Sequence, residues 1–315
     1  MVNGLWNAGE VNSGSLCVSV AGLEIEINAN QAGLTLAVPP SYQKFLKALA
    51  ERQPGGKETD KDLRPDVNDK LFLQVCTKAP AAETMRWEAL IKTINWQLWM
   101  DDERRYIFIA PRLLPQRSIS VDVSFTSGVV TGAFCNDATI PIYPIEGLDM
   151  HLVSNWLANS GDIILHAAGI SVDGQGYCFA GVSGSGKSTL ANQLAALESV
   201  EILGEDQVIL RWQDGQFWIF GTPWHENPEL CSPLGVPLAK LFFLERDGKQ
   251  RTLPLTPLDG TARMLQNAFI PFYRTDALPA ILDRISALSE TVPFFILDYQ
   301  INTDVWDLIE MAGNK

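Results

Sequence analysis

Apolar and polar residues alternate along much of the first half of the chain. In residues 16–28, LCVSVAGLEIEIN, the alternation is interrupted by Ala21-Gly22, which predicts a strand, a turn and a second strand. Apolar residues at helical spacing over 41–51, SYQKFLKALAE, predict a helix, and the charged, turn-rich stretch 52–70 predicts an exposed loop. Further strands are expected at 71–76, 105–111 and 118–125. Residues 83–99 carry helical and strand features side by side. Their tryptophans, Trp87, Trp96 and Trp99, read as packing residues rather than a binding face.

From about residue 146 the pattern changes. Residues 150–161 predict a helix ended by Gly161, followed by an apolar strand at 162–172. Asp173-Gly174-Gln175-Gly176 supplies a tight turn, and YCFAG (177–181) returns as a strand, so a hairpin leads into the next segment. Leu190, Leu194 and Leu197 then mark a helix. Strands follow at 200–203, 207–212, 216–221, 238–246 and 292–297, with late helices at 276–289 and 303–311. No internal repeat interrupts this order. The chain therefore reads as a mixed α/β (α+β) protein, with a β-rich N-terminal domain over 1–145 and an α/β domain over 146–315.

Composition narrows the function classes. A formal charge of −13 gives no basic surface for nucleic acid or anionic lipid, so neither is an expected partner. The five cysteines are scattered and never spaced C-x-x-C, which argues against a disulfide framework or a structural zinc site. No cationic segment followed by an apolar run opens the chain, and no apolar stretch is long enough to span a bilayer. A cytoplasmic location is expected.

The densest chemical signal is GVSGSGKST at 181–189, where Gly181, Gly186, Lys187 and Ser188 meet the pattern G-x-x-x-x-G-K-[ST]. Glycines at 181, 184 and 186 allow backbone conformations that turn successive N–H groups toward one anion. Ser183, Ser185 and Thr189 complete the cradle, and the following helix adds its positive end. Lys187 places a compact charge between the β- and γ-phosphates, and Ser188 can ligate the Mg²⁺ that accompanies ATP. The preceding strand and following helix supply the context that such a loop requires.

Three other groups surround it. Glu205-Asp206 end the next strand, where one carboxylate can serve a metal and the other can take a proton from an acceptor hydroxyl. That placement assumes that the strand neighbours the loop strand. His166 lies mid-strand in the hairpin, where a lone histidine is more often a core residue. The Pro-punctuated run 221–229 concentrates Trp224, His225 and Glu226, a candidate substrate loop.

Taken together, the hairpin HAAGISVDGQGYCFAG, the SGSGKST loop, the acidic pair and the Gly-Thr-Pro-Trp loop resemble the C-terminal domain of the HPr kinase/phosphorylase-like family. The ATP-dependent phosphoenolpyruvate carboxykinases share that P-loop core. The resemblance covers roughly 145–315. It implies a kinase that transfers the γ-phosphate of Mg·ATP to a hydroxyl, the serine of a peptide or protein, and it implies a homo-oligomer. By the same resemblance, residues 181–189 hold ATP, Asp206 and Glu205 are catalytic with Asp206 and Ser188 serving the metal, and His166 stands beside the loop. Glu205 replaces an aspartate of that family, Thr189 replaces a glutamate, and no Glu-x-Arg-Gly segment is present. HPr itself and phosphorolysis are therefore not implied. A small-molecule kinase and a non-catalytic ATP-binding regulator fit the same residues. An ABC-type ATPase does not, because its LSGGQ-like signature is missing.

Overall fold

The computed structural model describes residues 9–11, 14–47, 69–77, 89–110, 117–132, 134, 142–225, 227–300 and 304–313. The chain divides into two compact units, 1–152 and 153–315. The division falls inside the helix α1 (Asp149–Ala158).

The first unit is built of strands β1 (Gly9–Val11), β2 (Ser15–Val20), β3 (Leu23–Asn28), β4 (Leu36–Val38), β5 (Leu46–Lys47), β6 (Lys70–Cys76), β7 (Ala89–Lys92), β8 (Gln97–Met100), β9 (Tyr106–Ala110), β10 (Arg117–Val121) and β11 (Ser127–Gly132). Nine of them form one sheet in the order β5-β2-β3-β6-β11-β10-β9-β8-β7. Its β3–β6 and β6–β11 pairs are parallel, and the rest are antiparallel. The alternation in β3 becomes an alternation of burial, with Leu23, Ile25 and Ile27 inside. Ala21 and Gly22 both take positive φ (51° and 93°), the two-residue turn that fits the twist of a hairpin.

The helix expected at 41–51 is not formed. Pro40–Phe45 is a 3₁₀ helix, and Leu46–Lys47 joins the sheet as β5. Pro39 and Pro40 withhold two N–H donors from the start of the segment, and pairing with β2 takes its end. Residues 48–51, 52–68 and 83–88 lie outside the described residues, while the second half of the ambiguous 83–99 stretch is the β7–β8 hairpin.

The second unit carries β12 (Ile163–Val172), β13 (Gln175–Ala180), α2 (Lys187–Leu194), β14 (Val200–Gly204), β15 (Gln207–Gln213), β16 (Gln216–Phe220), β17 (Gly235–Glu245), β18 (Arg251–Pro254), α3 (Pro257–Asn267), β19 (Ala268–Phe269), α4 (Leu278–Thr291), β20 (Phe294–Asp298) and α5 (Val305–Glu310). β12 and β17 are long and change partners along their length. Residues 163–166 of β12 pair with β15, and residues 167–172 pair with β13. β17 passes from β16 to β13 and β20, both of which it joins in parallel.

The central strands are buried on both faces, and residue parity sorts them. Leu165, Ala167, Cys178, Ala180, Leu241 and Phe243 enter one core with Met264, Ile281 and Ile285 of α3 and α4. Ala168, Ile170, Phe179, Phe242 and Leu244 enter the other with Leu190 and Leu194 of α2 and Ile309 of α5. Helices thus cover both sides of the sheet, as near-continuous apolar strands require. β13, β17 and β20 run parallel, and β14 runs with them two places from β13, so the carboxyl ends of all four strands meet at one edge. β14 pairs with β12 rather than with β13, so the acidic pair stands one strand farther from the loop strand than the sequence suggested.

Two glycines measure how closely this unit is packed. Gly161 has φ 73°, and a Cβ there would lie 2.5 Å from the Ala280 carbonyl oxygen, whereas Gly215 has φ 81° and open space. Gly215→Ala is expected to cost the about 1–2 kcal/mol of a left-handed non-glycine residue. Gly161→Ala should cost more, because backbone must also move. Urea midpoints of the two variants check this, and equal shifts would contradict the packing.

Candidate functional site

The segment between β13 and α2 turns back on itself. A Cβ on Gly181 would lie 2.5 Å from Ser185 Oγ, and Gly184 and Gly186 hold φ of 80° and 107°, which other residues rarely adopt. Gly186 is the N-cap of α2 and supplies no side-chain capping bond. The N–H groups of the first helical turn are therefore available, with the positive end of the helix behind them, which is an arrangement suited to an anion.

Lys187 is buried at the foot of this turn. Its ammonium donates to the Gly181 carbonyl at 2.8 Å, to the Val182 carbonyl at 3.3 Å, and to His166 Nε2 at 2.8 Å. Burial lowers its pKa, opposed by the Asp206 charge. An ammonium has only donors, so His166 Nε2 accepts and the ring proton sits on Nδ1. Nδ1 lies 3.3 Å from Asp206 Oδ1. Burial lowers the His166 pKa, the Lys187 charge lowers it further, and Asp206 opposes both. His166 is neutral and links a cation to a carboxylate.

Strand parity explains the meeting. His166 shares the parity of Ala168 and Ile170 and emerges on the face that α2 covers. The Ala167 N–H donates to the Asp206 carbonyl at 3.0 Å, which pins the 205–206 turn against β12. Glu205 is half-buried in that same turn.

The loop after β16 closes the opposite side. Thr222, fully buried, donates its hydroxyl to the Gln207 carbonyl at 2.8 Å, so at 3.2 Å it accepts from His225 Nε2. His225 packs on Gly204, where a Cβ would lie 2.6 Å from its Nε2, just before Glu205-Asp206. Burial drives its pKa down to about 4. His225 Nδ1 and Trp224 Nε1 are buried without hydrogen-bond partners among the described residues. Glu226 lies outside the described residues.

The structure thus brings Lys187, His166 and Asp206 into one line, with His225 beside them and Ser188 exposed on the first turn of α2. Ser183 is exposed, Ser185 buried and Thr189 half-buried in the same loop. Among the described residues no cluster of three or more His, Cys, Asp or Glu could hold a metal ion. No helix there is long and apolar enough to cross a membrane.

Sequence reasoning missed Thr222, Arg246 and Tyr299. Arg246 follows β17 and donates through Nε to the Ser185 carbonyl at 3.1 Å, while Tyr299, after β20, donates to the Gly186 carbonyl at 2.9 Å. Their signal was position alone, since both stand just past the carboxyl ends of apolar strands.

With this geometry in place, the comparisons add a family. Residues 137–313, more than half of the chain, match the family described as SynChlorMet cassette protein ScmC. The chain belongs to that family. Its matched span contains the whole second unit up to residue 313, including every site residue named above. No curated protein matches the chain. Among solved structures, the Hpr(Ser) kinase/phosphatase from Coxiella burnetii is similar at 13% identity and a TM-score of 0.28, covering 47% of this chain and 86% of that one. Likeness at that level says nothing about chemistry.

The depressed pKa of His225 makes a pH prediction. The unfolded chain takes the proton near the usual 6.5, the folded chain only near 4, so acid favours the unfolded state between those values. Stability should fall as pH drops from 6.5 to 4, with a contribution of order 3 kcal/mol from this residue. His151, held down to about 4 by burial in its own surroundings, adds a slope in the same direction. His225→Gln should therefore flatten the wild-type slope without abolishing it. Chemical denaturation across this range checks the sign, and identical slopes would contradict it.

Proposed function

We propose that the second unit binds a nucleoside triphosphate on the 181–189 loop and transfers its γ-phosphoryl group to a hydroxyl, that of a serine in a peptide or protein. The observation that carries the reading is the line Lys187–His166–Asp206 at the mouth of an uncapped helix start. Phosphoryl transfer needs little covalent help from a protein; it needs positioning, cations at the phosphates and a group to take the acceptor proton. The loop N–H groups and Lys187 serve the first two needs, and Asp206 serves the third.

In the proposed step the acceptor oxygen attacks the γ-phosphorus as the bond to the β–γ bridging oxygen breaks. The hydroxyl proton passes to the Asp206 carboxylate, and the nucleoside diphosphate leaves. His166 Nδ1 stands 3.3 Å from Asp206 Oδ1, and this contact helps to place the carboxylate as a base. On binding, the γ-phosphate competes with His166 Nε2 for the Lys187 ammonium, so the contact seen here is the resting arrangement of the cation. The exposed Ser188 hydroxyl and a carboxylate of the 205–206 pair offer hard oxygen donors, which fit Mg²⁺. Magnesium would neutralise charge on the phosphate oxygens. His225, packed on Gly204 just before the acidic turn, stands on the acceptor side.

Two variants separate binding from transfer. Lys187→Ala should weaken triphosphate binding about a hundredfold, about 2.7 kcal/mol, measured by calorimetry. Undiminished affinity would remove the loop from the account. Asp206→Asn should leave affinity within about threefold while transfer of labelled γ-phosphate to a serine-peptide library falls by at least about a hundredfold. Label appearing only as inorganic phosphate in the wild-type chain would contradict the kinase reading, and full transfer by the variant would contradict the role of Asp206.

A further inference from the structure

Four backbone carbonyls of the loop are tied to side chains, and they divide into two sets. Gly181 and Val182 are held by Lys187, on the side of His166 and Asp206. Ser185 and Gly186 are held from the other side by Arg246 and Tyr299. The Arg246 guanidinium lies beside the Tyr299 hydroxyl, and both close on Gly186, so the two side chains are neighbours in one cluster. They come from successive parallel strands, β17 and β20, whose register places Glu245 opposite Asp298.

We infer that Arg246 and Tyr299 are positioning residues for the phosphates: Arg246 holds the Ser185 carbonyl outward so that the Gly186 N–H faces the anion, and Tyr299 adds a second donor to the Gly186 carbonyl, which also accepts from the Leu190 N–H of α2 at 2.8 Å. This rests on the triphosphate reading of the loop. A peptide unit has its C=O and N–H on opposite sides, so fixing one direction fixes the other. A Ser185 carbonyl left free could rotate toward the phosphates and repel them, because its oxygen carries partial negative charge. Arginine suits the task better than lysine, since a guanidinium places several N–H groups in a fixed plane and can hold two acceptors at once.

Gly186 shows that loop and clamp are fitted to each other. A Cβ there would lie 2.5 Å from Arg246 Nη2 and 2.8 Å from the Tyr299 hydroxyl oxygen. The loop can take its φ of 107° only with glycine, and the clamp can approach only where no side chain stands. Tyr299 is buried, with 5% exposure, while Arg246 is exposed, so Tyr299 supplies the fixed point against which the arginine is set.

The clamp lies across the loop from Lys187, His166 and Asp206, and this gives it a kinetic signature. It sets the cradle and leaves the transfer step to the other flank. Arg246→Ala should raise KM for ATP about tenfold or more and weaken ADP and ATP binding by the same factor, with kcat within about twofold. Arg246→Lys should recover only part of this loss. Tyr299→Phe, which keeps the ring and loses the hydroxyl, should weaken both nucleotides about threefold to fivefold, close to the value of one hydrogen bond. The double variant should cost less than the sum of the two, because the residues act together. Should Arg246→Ala fail to fold, Tyr299→Phe decides the matter alone. Unchanged nucleotide affinity in Tyr299→Phe, or a loss of kcat at constant KM, overturns the clamp provided that Lys187→Ala weakens binding as expected. Undiminished binding in Lys187→Ala overturns the underlying reading instead.

Discussion

A buried ammonium must find acceptors for its protons, and Lys187 finds them in two loop carbonyls and one imidazole. Much of the site follows from that requirement. The carbonyls of Gly181 and Val182 turn toward the lysine, which folds the loop back on itself. His166 must accept at Nε2, so its proton lies at Nδ1, the nitrogen that stands 3.3 Å from Asp206 Oδ1. One desolvated charge thereby sets the loop, the tautomer of a strand histidine and the partner of a carboxylate in the next turn.

The fold delivers these groups to one place by topology. β13, β17 and β20 run parallel, and β14 runs in the same sense beyond β12, so four strand ends meet at one edge. At that edge stand Gly181, Arg246, Tyr299 and the Glu205-Asp206 turn. Burial on both faces makes this part of the sheet rigid, since Phe179, Phe242 and Phe295 stack on one side while Phe243 and Phe294 meet on the other. A loop at the end of such strands gains precision from this support.

Much of this was legible in the sequence, and the failures have physical causes. Near-continuous apolar runs marked the hairpin 163–180 and the strands after it, because a strand buried on both faces carries few polar residues. The helix α3 is amphipathic but poor in apolar residues, with Gly260 in place of a large apolar residue at a contact with Phe294 and with Leu258 exposed. Its cap was nonetheless written in Thr256, Pro257 and Asp259. Residues 41–51 show helical spacing, but prolines and an available sheet edge outweigh it. His166 and Asp206 were legible as residues and not as a pair, for strand order decides their meeting. Arg246 and Tyr299 were invisible as site residues, because nothing local distinguishes an arginine after one strand and a tyrosine after another.

The proposed mechanism turns on the contact between Lys187 and His166 and its exchange for a phosphate. Nitrogen-15 NMR of the His166 imidazole, recorded near neutral pH with and without ATP, tests it most directly. The free protein should show a neutral ring with its proton on Nδ1, and ATP should shift the Nε2 resonance as Lys187 turns to the phosphates, with no such shift in Lys187→Ala. A ring protonated at Nε2 in the free protein, or an Nε2 resonance unmoved at saturating ATP, would contradict the account.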